Sequence, residues 1–110
     1  MNINNIKINL INNTESKIKA FASFTINDAI KVNDVKIIGY SAEDINAMPN
    51  FMHDLLSNPV VDGLHILISM PSLKTPDGKY RNIINLTNSE VANQLNSLIL
   101  DAYKQAKQEA

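Results

Sequence analysis

Lys17-Ile18-Lys19-Ala20-Phe21-Ala22-Ser23-Phe24-Thr25-Ile26-Asn27-Asp28-Ala29-Ile30-Lys31-Val32-Asn33-Asp34-Val35-Lys36-Ile37-Ile38 decides the fold class of this chain. Across 17–26, Ala20, Ala22, Phe24 and Ile26 share one face, and Lys19, Phe21, Ser23 and Thr25 share the other. That period of two is the mark of a strand with one buried side. Asn27-Asp28-Ala29 is a polar break of hairpin length. In the strand predicted over 30–40, Ile30, Val32 and Ile38 keep one phase, while Val35 and Ile37 keep the other. Asn33-Asp34 lies between the two phases, where a bulge lets both halves bury their apolar residues. Upstream, Ile6, Ile8 and Leu10 alternate with Lys7, Asn9 and Ile11, and 12–16 is a turn cluster. Three strands at this spacing predict an antiparallel meander.

Working outward, the character changes after Tyr40. Ser41-Ala42-Glu43-Asp44 has a capping hydroxyl followed by acids, the chemistry of a helix start. Ile45, Met48, Met52 and Leu55 follow at helical spacing, interrupted by Pro49, which cannot sit inside a helix without losing a hydrogen bond. The expectation is a two-piece helical insert over about 41–57, its second piece running 49–56. A fourth strand is predicted at 64–70 and a fifth at 81–86, joined by a proline-framed loop. Thr87-Asn88-Ser89-Glu90 fits a capping box, with Leu86 and Val91 at the staple positions. Val91, Leu95, Leu98, Ile99, Ala102 and Ala106 then form one apolar stripe. Lys104 and Lys107 stand near the end, where the helix dipole favours cations. Strands first and one long amphipathic helix last describe an α+β domain: an antiparallel sheet of about five strands, a C-terminal helix and a helical insert between strands three and four. The helix covers one sheet face. The other, expected to carry Phe21 and Ile37, is a natural surface for a second copy.

Composition narrows the function. The chain of 110 residues reads as one domain over 1–110, with 45% hydrophobic and 19% charged residues, ordinary for a globular protein. The net charge of −1 provides no global field for nucleic acid, so any such contact needs a local basic patch. There is no cysteine, which removes disulfides, thiolate chemistry and cysteine-type zinc sites. The polar start 1–5 lacks the apolar core of a secretion signal, and no apolar run approaches the length of a membrane span. A cytoplasmic protein with no membrane contact is expected.

Catalytic constellations are scarce. His53 and His65 are the two histidines, and a metal or general-base role for either needs further groups converging in space. Glu43, Asp44 and Asp54 read as capping and solvated acids. With three glycines there is no phosphate-cradling loop. Met48 and Met52 read as core fillers. No enzyme, metal or cofactor is expected. The remaining candidate is the stretch 70–83, Met70-Pro71-Ser72-Leu73-Lys74-Thr75-Pro76-Asp77-Gly78-Lys79-Tyr80-Arg81-Asn82-Ile83. Thr75-Pro76-Asp77-Gly78 suits a type I turn, with Pro fixing φ and Gly at the exit. It either reverses the chain and no more, or presents a basic fork. In the second case Lys74, Lys79 and Arg81 meet phosphates and Tyr80 stacks on a base.

Two stretches together resemble the stage V sporulation protein G (SpoVG, septation-regulator) family. One is 18–28 continued through 30–38; the other is Met70-Pro71-Ser72, Thr75-Pro76-Asp77-Gly78 and Tyr80-Arg81-Asn82-Ile83, with the C-terminal helix and its Ala102-Tyr103 following at the expected distance. The resemblance implies a small cytoplasmic bacterial regulator of septation and sporulation, a homodimer with an antiparallel sheet and a C-terminal helix that binds DNA or RNA. It implies basic residues near the loop and final helix as the contacts. Leu73 stands where the family usually has a basic residue, and 88–100 contains no Lys or Arg. The insert reads as longer than the family's usual connection. It is the alternative seat of function, a protein-binding segment at 41–57 on the same fold.

Overall fold

Asn27 and Asp28 both take positive φ, 52° and 56°, and the Ala29 N–H donates to the Ile26 carbonyl at 3.0 Å. Two successive left-handed residues make a type I′ turn, whose twist matches that of the strands it joins. Asn and Asp tolerate this conformation better than other residues with a Cβ. The polar break is therefore a tight hairpin loop of three residues, Asn27 to Ala29, between the paired Ile26 and Ile30. It joins β2 (Ile18–Ile26) to β3 (Ile30–Tyr40).

The structure, a computed structural model, describes residues 2–12, 15–74, 76–82 and 87–109; the side chains at 73, 74 and 80–82 are outside that description. β1 (Ile3–Leu10), β2, β3, β4 (Val60–Val61) and β5 (Leu64–Ser69) form one antiparallel sheet in the order β1-β2-β3-β5-β4. Between β3 and β4 lie α1 (Ala42–Asn46) and a 3₁₀ helix (Asn50–Ser57). β6 (Ser72–Lys74) and β7 (Tyr80–Asn82) pair as a separate two-stranded ribbon, and α2 (Ser89–Glu109) closes the chain. The α+β architecture agrees with expectation in its sheet, helix and insert.

Bulges align the core. Ala22 faces Val35 and Phe24 faces Val32, so Asn33 and Asp34 share the space opposite Ser23, with Asp34 at φ 62°. Val32, Val35 and Ile37 consequently all reach the same buried face. Ile37, expected on the far face, is fully buried opposite Ala20; the phase change at the bulge carries it across. A similar irregularity around Asn5, at φ 53°, lets Ile3 and Ile6 both pack on the core. A third makes Lys19 the extra residue between Ile18 and Ala20. Asp34→Val is expected to cost about 1–2 kcal/mol in chemical denaturation, because a β-branched side chain is strained at positive φ. Asp34→Gly should change stability by less than about 0.5 kcal/mol, since glycine accepts that φ.

The helical insert forms in two pieces. Ser41 Oγ accepts the Asp44 N–H at 3.1 Å and starts α1. Pro49 then precedes the second piece, whose Met52 N–H donates to the Pro49 carbonyl at 2.9 Å. That three-residue spacing makes it a 3₁₀ helix. Ile45 of α1 and Leu55 of the 3₁₀ helix are the buried residues of the insert. After it, Asp62 (φ 52°) and Gly63 (φ 79°) turn the chain from β4 into β5, a small hairpin not foreseen ahead of the fourth strand. β5 ends at Ser69, and β7 covers 80–82; the remainder of the strand expected at 81–86 lies outside the described residues. The expected fifth strand is thus half of the ribbon and not a member of the large sheet.

α2 begins one residue later than expected. Asn88, not Thr87, caps it: Asn88 Oδ1 accepts the N–H groups of Glu90 (2.9 Å) and Val91 (3.3 Å). The expected staple partner Leu86 lies outside the described residues. Leu95, Ile99 and Tyr103 supply the buried edge of α2, one above another at four-residue spacing, against Ala20, Ala22 and Phe24. Tyr103 takes a core place that the expected stripe left to its neighbours Ala102 and Ala106. Burial pushes its phenol above the ordinary 10.0, with nearby Asp62 adding to the shift and Lys107 opposing it. Above pH 10 the unfolded chain therefore binds fewer protons than the folded one, and stability is expected to fall as pH rises through that range. Phenolate absorbance should show a phenol titrating above the ordinary 10.0, and Tyr103→Phe should remove it.

Candidate nucleic-acid interface

The candidate fork sits on the β6–β7 ribbon. Its register is Ser72 opposite Asn82, Leu73 opposite Arg81 and Lys74 opposite Tyr80. Antiparallel partners stand about 4.5–5.5 Å apart at Cα. The backbone thus brings Lys74, Tyr80 and Arg81 onto adjoining rungs, with Lys79 immediately above them in the loop. Pro76, Asp77, Gly78 and Lys79 are all exposed. Gly78 adopts φ 84°, a value that the loop exit demands and glycine meets without strain. Asp77 Oδ1 accepts the Lys79 N–H at 3.1 Å, which ties the loop to itself. Thr75 lies outside the described residues, so the turn is seen from Pro76 onward. All four candidate residues therefore lie within the last two rungs and the loop of the ribbon, and that loop is exposed, polar and tied to itself.

The other chemical candidates are separated. His53 Nε2 donates to the Met48 carbonyl at 3.0 Å, and the His65 Nδ1 lies 3.3 Å from the Asn58 carbonyl. Each ring is half-buried and engaged with backbone, His53 within the helical insert and His65 just beyond its end. Asp44 Oδ2 is 2.7 Å from Lys17 Nζ, which also stands 5.8 Å from the centre of the Tyr40 ring. The hydrogen bond from Lys17, then that from Ser41, holds the Asp44 carboxyl below its usual range. Among the described residues no group of three or more His, Cys, Asp or Glu side chains is placed to hold a metal ion.

Two features escaped the sequence. Lys107 at the end of α2 pairs with Asp62 of the β4–β5 turn at 3.1 Å. A helix-end cation was legible, but its partner across 45 residues of sequence was not. A groove of about 430 Å³ runs between β5 and α2, lined by Ile66 and Ile68 on one side and Asn93, Asn96 and Leu100 on the other. Its wall from α2 is amide-rich and uncharged, in keeping with the absence of Lys and Arg across 88–100.

Comparison with known proteins decides the relationship. The SpoVG family profile matches residues 1–58, which takes in the whole meander and the insert. The chain belongs to the SpoVG family. A relative from Clostridium perfringens, named for SpoVG and septation, is 33% identical over 107 residues, covering 97% of this chain and 93% of its own. A Thermoanaerobacter relative of the same name is 31% identical over 109 residues, covering 99% and 94%. One from Caldanaerobacter subterraneus is 30% identical over 108 residues, covering 98% and 93%. Matches of this extent run through 41–57, so the helical segment lies inside the SpoVG domain. No helix among the described residues is long and apolar enough to cross a membrane.

Proposed function

We propose that this SpoVG-family chain is a cytoplasmic regulator of the septation and sporulation type, a homodimer that binds DNA or RNA weakly through its β6–β7 ribbon. The observation that carries the reading is the self-tied ribbon loop, where Lys79 is exposed and the register sets Lys74, Tyr80 and Arg81 beside it. A stiff loop loses little freedom on meeting a backbone phosphate. Three cations can neutralise about three phosphates, enough for weak, salt-sensitive binding in a chain without net positive charge. The role is binding, not catalysis, and it calls for no cofactor. A second copy doubles the number of loops available to one strand, which raises avidity without new contacts. Low-salt gel shifts with DNA and RNA test the reading: retarded bands at micromolar protein support it, and their absence removes it. Sedimentation tests the dimer.

A second reading places function in the 41–57 segment as a protein-binding surface. Phe51 (78% exposed) and Leu56 (39%) on the 3₁₀ helix, with Val60 (53%) just after it, favour it, because several exposed apolar side chains on one short segment mark an interaction surface where a lone one does not. Phe51→Ser should abolish capture of a partner and leave nucleic-acid binding intact. A partner held equally by parent and variant would count against this surface.

A further inference from the structure

We propose that the outer face of the sheet is a stacking platform for single-stranded nucleic acid, with Phe21 receiving a base and Lys7 and Lys36 meeting phosphates. α2 lies on the opposite face, against Ala20, Ala22 and Phe24. The outer face is read directly from the register. Asn9 faces Phe21, Phe21 faces Lys36 and Lys36 faces Ser69, one ladder crossing β1, β2, β3 and β5. Lys7 faces Ser23 one rung away. Phe21 and Lys36 are half-buried and Lys7 is exposed. Among the described residues neither lysine is held in an ion pair.

Charge is segregated in the direction a polyanion requires. The five strands of the sheet carry Lys7, Lys19, Lys31 and Lys36 against a single acid, Asp34. The other acids of the chain lie in turns, the helical insert, the ribbon loop and α2. An overall charge of −1 therefore coexists with a basic sheet. A half-exposed aromatic with Asn9 and Lys36 directly beside it on the neighbouring strands offers a base its π-face with a phosphate contact within reach, and Ile38 and Leu67, on the same face, add apolar surface. Duplex DNA keeps its bases stacked inside and cannot use Phe21 in this way, so the single strand is the occupant. Asp34, at the bulge opposite Ser23, is the one opposing charge.

The platform rests on the proposed nucleic-acid function but uses different residues from the ribbon, so the two separate experimentally. The probe is fluorescein-labelled oligo(dT) or oligo(U) of about 12 nucleotides, within the site size of sheet-type single-strand binders. Anisotropy is read with the full chain. Phe21→Leu, which keeps an apolar side chain and removes the ring, is expected to weaken binding about tenfold. Lys7→Gln and Lys36→Gln should each make the slope of log affinity against log salt about 0.7 shallower. Asp34→Asn keeps a residue suited to positive φ and should strengthen binding, which preserves the test if Phe21→Leu fails to fold. Weaker binding by Phe21→Leu, Lys7→Gln and Lys36→Gln and tighter binding by Asp34→Asn, with parent-like binding by Lys79→Glu/Arg81→Glu, supports the platform and overturns the ribbon. Parent-like binding by Phe21→Leu, Lys36→Gln and Asp34→Asn, with loss on the ribbon variant, overturns the platform and keeps the ribbon. Equal affinity of the parent for a duplex of the same length also overturns the platform.

Discussion

Phe24→Ala is expected to lower the stability of the domain by about 3–5 kcal/mol, the cost of deleting a buried ring and leaving a cavity. Phe24 is fully enclosed on the face shared with Ala20, Ala22, Leu95 and Ile99. Domains of this size carry only about 5–15 kcal/mol in total, so the variant should unfold at a much lower denaturant concentration, or fail to accumulate. Phe21 is the control. It lies three residues away on the same strand but on the outer face, and it is half-exposed. Phe21→Ala should cost no more than about 1–2 kcal/mol, because much of its surface already meets water. Equal losses at the two positions would mean that the sheet is buried on both sides and that the outer face is not open to ligand.

Lys79→Glu combined with Arg81→Glu is expected to reduce nucleic-acid affinity at low salt by at least about tenfold, roughly 1.4 kcal/mol or more. Each reversal replaces a phosphate attraction with a repulsion, so the effect exceeds that of neutral substitutions. Lys79 sits at an exposed loop position, so its reversal should leave the unfolding midpoint nearly unchanged. Loss of binding together with loss of folding would point to a structural role for the ribbon. Retained binding with intact folding would move the contact elsewhere on the molecule.

Much of the architecture was legible because local signals agreed with the global pattern. Asn27-Asp28 announced a hairpin, and the phase change at Asn33-Asp34 announced a bulge. Its consequence for Ile37 was harder to follow, since a bulge reverses every later side chain and one misassigned residue changes which face appears to need a partner. The irregularity at Lys19 gave no warning, because it uses no glycine, proline or positive φ. At the start of α2, Thr87, Asn88 and Ser89 are all competent caps, so composition could not choose among them. Tyr103 does not read as core in the sequence because its polar tip argues against burial, although its spacing from Ile99 fits the stripe. The ribbon was legible as a hairpin, while its separation from the large sheet depends on long-range pairing that no local signal encodes. The backbone hairpin that carries the candidate residues was legible, since they adjoin in sequence and a hairpin keeps them adjoining in space. The outer-face ladder was not, because Asn9, Phe21, Lys36 and Ser69 meet only once the register is known.

The salt dependence of the parent chain's affinity for an oligonucleotide tests the central claim most directly. If Lys74, Lys79 and Arg81 neutralise three phosphates, log affinity should fall against log salt with a slope of about −2 to −3, steeper where the sheet lysines also engage. Absence of binding at micromolar protein in low salt, or an affinity that does not change with salt, would contradict it.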